Sequence, residues 1–79
     1  MEIKELLEAM AKALVDNPEQ ISVKEVSGDS PTKVLELSAS PEDIGKLIGK
    51  RGKTASAIRT IISAISSKTR QKHILEIMD

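Results

Sequence analysis

Apolar positions recur with a helical period at the start of the chain and with a strand period soon after. Ile3, Leu6, Leu7, Met10 and Leu14 fall at i, i+3, i+4, i+7 and i+11, which predicts an amphipathic helix. Glu2, Lys4, Glu5, Glu8 and Lys12 fill its solvated face, with Glu8 and Lys12 spaced to pair at i, i+4. Asp16-Asn17-Pro18 ends the helix, because Pro18 lacks an N–H and biases Asn17 away from the helical region. Ile21 to Val26 then reads as a strand, Ser27-Gly28-Asp29-Ser30-Pro31 as a turn, and Lys33 to Ala39 as a second strand. In that second strand Leu35, Leu37 and Ala39 share one face, with Glu36 and Ser38 on the other. The short connection predicts an antiparallel pair.

Ser40-Pro41-Glu42-Asp43 predicts a helix start: Ser40 can cap, Pro41 suits the first helical position, and Asp43 serves the positive helix end. Ile44, Leu47 and Ile48 give that helix a short apolar face before Gly49 stops it. A longer helix is predicted from about Thr54 to Ser67, with Ala55, Ile58, Ile61, Ile62 and Ile65 facing inward. His73 to Met78 reads as a last strand. The order is α-β-β-α-α-β, and a helical crossover between the second and third strands makes them parallel if they are neighbours. The expected fold class is α+β, a three-stranded mixed sheet with three helices packed on one face, in a single domain over residues 1–79.

Composition narrows the function. There is no Phe, Tyr or Trp, so base-stacking aromatic platforms are excluded and the core is aliphatic. Cysteine is absent, which excludes a disulfide framework and thiolate metal sites and permits a reducing compartment. No run approaches the roughly 20 apolar residues of a membrane span, and an acidic N-terminus lacks the character of a signal peptide. A cytoplasmic location is the expectation. Net charge is zero, but residues 1–45 carry ten acidic and four basic groups, and residues 46–79 carry eight basic and two acidic ones. That asymmetry points to an anionic partner for the second half.

The cations concentrate at Gly49-Lys50-Arg51-Gly52, the turn between the two later helices, where Lys46, Lys50, Arg51 and Lys53 fall within eight residues. Glycine permits positive φ and close approach of another molecule. The N–H groups that open the following helix point outward with the positive end of its dipole, which suits phosphate. Ile44, Leu47, Ile48 and Ile58 are candidates for an aliphatic groove floor beside the loop. A single-stranded segment fits such a site, phosphates on the loop and bases against Leu and Ile.

Other chemistries fit less well. Gly52-Lys53-Thr54 mimics the end of a Walker A loop, but that motif needs glycine at position 47, where Leu stands, and a strand directly ahead. A helix-turn-helix reader needs base-reading side chains on its second helix, and Arg59 is the only long polar residue there between Thr54 and Ser67. Ser40, Ser56, Ser63 and Thr54 offer hydroxyls, yet the single His73 has no sequence link to any of them, so no catalytic residue is assigned. One histidine and scattered carboxylates lack metal-ligand spacing, and no cofactor is expected. A protein-interaction module that serves mainly as the dimerisation partner of another protein is the alternative reading.

Ile48-Gly49-Lys50-Arg51-Gly52 between two helices, with a strand before and after, resembles the K homology (KH) domain. A β-α-α-β unit from Lys33 to Met78, preceded by a helix and a strand, looks like the type II, prokaryotic arrangement. The resemblance extends to the small stand-alone bacterial KH proteins of the KhpA family through Ala13 to Pro18, Pro41-Glu42-Asp43, Gly49 to Ala55 and Ala57-Ile58-Arg59. It implies single-stranded RNA binding, with the G-x-x-G loop clamping about four backbone nucleotides. Carried over, Gly49, Lys50, Arg51 and Gly52 form the clamp, Ile48 is the apolar position before it, and Lys53 and Thr54 flank the phosphates. The resemblance further implies a homodimer, or a heterodimer with a second KH-containing protein. It also implies a role as RNA chaperone or post-transcriptional regulator linked to growth, division and cell shape.

Overall fold

The structure is a computed structural model, and it describes residues 2–27 and 32–78. The elements run α1 (Ile3–Leu14), β1 (Ser22–Ser27), β2 (Lys33–Ser38), α2 (Ile44–Ile48), α3 (Lys53–Thr69) and β3 (His73–Ile77). Short 3-10 turns at Pro18–Gln20, Pro41–Asp43 and Lys50–Gly52 join them. The expected order holds. Positions 28–31 of the expected turn lie outside the described residues.

The sheet order is β1-β2-β3, with β1 antiparallel and β3 parallel to the central β2. The α2–α3 crossover is what allows a parallel neighbour, since two parallel strands cannot be joined by a hairpin. Alternation along the strands puts Val23, Leu35, Leu37 and Leu75 on one face, all buried beneath the helices. The three α-helices found among the described residues pack on that face, α1 against β1 and α3 against β3. The opposite face stays open, with Val26, Val34 and Ile74 in one cross-strand row and Lys24, Glu36 and Glu76 in the next. The core cluster joins Leu7 and Ala11 of α1, Leu47 of α2, and Ile58 and Ile62 of α3 to the sheet.

Two details of the helical faces differ from the periodicity reading. Leu14 is 43% exposed and Ile61 is 42% exposed, whereas both are expected inward. Ala11, one turn on from Leu7, is fully buried instead and joins the core cluster. On α3 the buried line is Ala55, Ile58 and Ile62; Ile61 lies about 100° away from Ile62 around the helix and faces the margin between α1 and α3.

Candidate nucleic-acid interface

The candidate clamp is built by a helix too short to stand alone. α2 has five residues, and Gly49 ends it by donating its N–H to the Gly45 carbonyl at 2.8 Å. The Gly49 backbone (φ 79°, ψ 171°) lies in a region essentially reserved for glycine. A Cβ at this position would sit 2.6 Å from the Thr54 Cβ and 2.7 Å from the Thr54 nitrogen. Gly49 is therefore required by the start of α3 folding back across it. Arg51 (φ 58°) and Gly52 (φ 73°) are left-handed as well, while a Cβ on Gly52 would meet nothing within 4 Å. The two glycines do different jobs: one makes space for Thr54, the other supplies only a backbone conformation.

The chain reversal leaves Lys50, Arg51 and Lys53 exposed. Among the described residues none of the three has a carboxylate at salt-bridge distance. Lys46, the fourth cation of the cluster, is not free. Its Nζ donates to Asp16 Oδ2 at 2.8 Å and to Asp43 Oδ1 at 3.5 Å. The hydrogen bond to Asp16 raises the Lys46 ammonium above the ordinary lysine value, against the opposing cost of partial desolvation. No side chain caps α3, but the turn itself uses part of its free end: the Gly52 N–H donates to the Gly49 carbonyl and the Lys53 N–H to the Lys50 carbonyl. Fewer outward N–H groups remain than a bare helix start would offer.

Of the four candidate floor residues, Ile48 is 40% exposed and Ile44 is half-buried, while Leu47 and Ile58 are buried in the core. The aliphatic surface at the clamp is thus Ile48 with part of Ile44. Ile48, Gly49, Lys50, Arg51, Gly52, Lys53 and Thr54 form one continuous segment from the end of α2 into the first turn of α3.

Asp43 does not serve the helix end as expected, and the Ser40 hydroxyl does not cap; it donates to Glu42 Oε1 at 3.0 Å. The Asp43 side chain is fully covered and accepts from the Asn17 N–H and the Asn17 Nδ2, each at 3.0 Å, and from the Asp16 N–H at 3.4 Å. Burial pushes this carboxyl up, but the hydrogen bonds from Asn17, Asp16 and Lys46 outweigh it and hold the group below the ordinary carboxylate value. The carboxylate thereby ties the chain leaving α1 to the beginning of α2. A sequence signal for this exists: Asp43 stands four residues before Leu47, which places both on the same inward face.

His73 Nδ1 pairs with Ser66 Oγ at 3.1 Å, far along α3 from the clamp. Among the described residues no cluster of three or more His, Cys, Asp or Glu is placed to hold a metal ion. Among the same residues no helix is long and apolar enough to cross a membrane.

A helix and two strands ahead of a G-x-x-G turn between helices, closed by a parallel edge strand, define a KH domain of type II. Over 95% of this chain the fold matches part of a crystal structure of an Aquifex aeolicus Era variant bound to GDP and aluminium fluoride, with a TM-score of 0.62 and 21% identity. The match occupies 29% of that longer chain and speaks to fold alone. Residues 4–77 match the family model described as KhpA/KhpB, KH domain, and the chain belongs to that family. It is 50% identical to the RNA-binding protein KhpA of Clostridium perfringens over 76 residues, 96% of this chain and 100% of that one. The RNA-binding proteins KhpA of Chlamydia pneumoniae and Aquifex aeolicus are 46% and 43% identical over 77 residues, 98% of this chain in each case and 97% and 96% of theirs.

Proposed function

We propose that this protein binds single-stranded RNA, without catalysis, by seating the phosphate backbone on Gly49-Lys50-Arg51-Gly52. The observation that carries the proposal is the turn itself. Three positive-φ residues hold Lys50, Arg51 and Lys53 outward, free of acidic partners among the described residues, beside a half-exposed Ile48. The relatives named as RNA-binding proteins support the same assignment. Recognition is backbone-led and tolerant of sequence, because no aromatic side chain is present to stack on bases. Acting as an RNA chaperone or post-transcriptional regulator is consistent with such tolerance.

The test is a titration of fluorescent single-stranded RNA with wild type and with a Lys50→Asp, Arg51→Asp double variant, checked by circular dichroism. Binding should be lost with the fold retained. With three cations engaged, log K against log salt should slope by about −2, at about −0.7 per phosphate. Unchanged binding by the double variant, or a flat salt response, would refute the clamp.

A second reading, pairing with a copy of itself or with another KH-containing protein, is favoured by one observation. An apolar groove of about 460 Å³ lies between α1 and α3, lined by Met10, Ala13, Leu14 and Ile61 and reaching Lys53 and Thr54 at the clamp. A partner in that groove would cover Leu14 and Ile61 and crowd the RNA site. Sedimentation with and without RNA tests it: RNA should shift the population toward monomer, and a dimer that binds RNA as tightly as the monomer would rule out the competition.

A further inference from the structure

Beyond the clamp, the two flanking sides differ in charge among the described residues. On the α1 side, Lys46 is occupied by Asp16 and Asp43, and Asp16 and Glu42 lie exposed. On the α3 side the chain itself supplies no acid: between Asp43 and Glu76 it contains no Asp or Glu, and the carboxylates of Glu2 and Glu25 approach α3 only at its far end, near Ile65 and Thr69. α3 thus runs from the clamp for 17 residues with cations and hydroxyls alone among its charged and polar groups.

Arg59 is the first cation on that path. It is exposed, and among the described residues no carboxylate lies at salt-bridge distance from it. Seven residues after Gly52, it falls on the same side of the helix as that cap, about 10 Å along the axis. Ser56 and Ser63 lie on either side of it along the helix, and with Thr60 they line a shallow cavity of about 530 Å³ at its base. The Thr60 hydroxyl is committed to the Ser56 carbonyl at 3.0 Å, so the guanidinium is the one long donor there.

We propose that Arg59 is a second phosphate-binding residue, which takes the RNA backbone as it leaves the clamp and extends the footprint along α3. The inference rests on the clamp reading and adds to it a direction and a length. A planar guanidinium suits this role because it can present two N–H donors to one phosphate. The position is exposed, so its substitution should leave the fold intact.

The experiment compares oligouridylates of four and eight nucleotides by fluorescence anisotropy, using wild type, Arg59→Ala, Arg59→Lys and the Lys50→Asp, Arg51→Asp variant, with melting curves as the fold control. Wild type should bind the eight-mer more tightly than the four-mer. Arg59→Ala should lower eight-mer affinity about fivefold or more, leave the four-mer within about twofold, and make the eight-mer salt slope shallower by about 0.7. Arg59→Lys should restore the slope, since the charge returns. An equal loss at both lengths would place Arg59 in the clamp and overturn the extension, as would no loss at either. No gain in wild-type affinity from four to eight nucleotides would also overturn it. A change in sedimentation of Arg59→Ala with unchanged RNA binding would assign this face to a protein contact instead. The clamp variant separates the two ideas: it should lose both lengths, and if it loses neither, the clamp reading fails on its own.

Discussion

The two glycines of the turn are predicted to differ sharply in what they tolerate, and Gly49→Ala is the sharper perturbation. Its φ of 79° with ψ of 171° lies where an L residue costs about 1–3 kcal/mol. The added Cβ would meet Thr54 at 2.6 Å and 2.7 Å, and the second of those contacts is with a backbone nitrogen that no rotamer change can move. Overpacking of that kind adds about 1–3 kcal/mol. Gly52→Ala bears only the left-handed penalty of about 1–2 kcal/mol, because its Cβ points into open space. A domain of this size is stable by about 4–12 kcal/mol, so Gly49→Ala removes a large share of the margin. At about 4–8 °C per kcal/mol for a small domain, Gly49→Ala should melt at least about 10 °C below wild type and clearly below Gly52→Ala. Thermal circular dichroism on the three proteins measures this. If Gly49→Ala is no less stable than Gly52→Ala, Thr54 does not set the requirement for glycine and the account of the turn is wrong.

Arg70 caps the end of α3 with φ 59°, and Arg70→Gly should raise stability by about 1 kcal/mol, read as a higher urea midpoint. Burial contrasts two adjacent isoleucines of α3: Ile62→Ala should cost about 2–5 kcal/mol, whereas Ile61→Ser, at a site already 42% exposed, should cost clearly less. Denaturant titration of both variants checks this, and similar losses would contradict the helix orientation. The Asp43 carboxyl is held below its ordinary value, so its contribution is present above the unfolded-state pKa and is lost as pH falls through the lower folded-state pKa. Asp43→Asn should therefore flatten the fall in urea midpoint on acidification; an equally steep fall in the variant would show that other carboxylates govern it.

The sequence carries the architecture well because its signals are local. The 3.6-residue stripe of α1, the alternation in β2 and the Pro41 start depend on neighbours a few residues apart, and each element appears where they point. The helical crossover likewise dictates the parallel β2–β3 pair. The candidate site is suggested by its glycines and cations, but the sequence does not say which cations are free. Lys46 is spaced like a phosphate ligand, and only the fold brings Asp16, thirty residues earlier, to 2.8 Å from it. Periodicity also cannot say which of two adjacent isoleucines is covered, because Ile61 and Ile62 both border the stripe and the position of α1 decides. The Asp43 network is the same kind of long-range fact, joining residues 26 and 27 positions apart.

α2 has consequences for how the loop can move. Five residues cannot sustain a helix in isolation, since nucleation alone exceeds what so few hydrogen bonds return. Its inner end is held by Asp43, its middle by the buried Leu47, and its outer end by the Gly49 N–H bonded to Gly45. A segment held in this way is expected to open only when the core opens. In hydrogen exchange the Gly49 amide should then be protected to nearly the depth of the core strands, unlike the amides of an ordinary surface loop. Its stiffness is inherited from the whole domain, so a core substitution remote from the loop should loosen the loop's exchange protection to the same extent as that of the sheet.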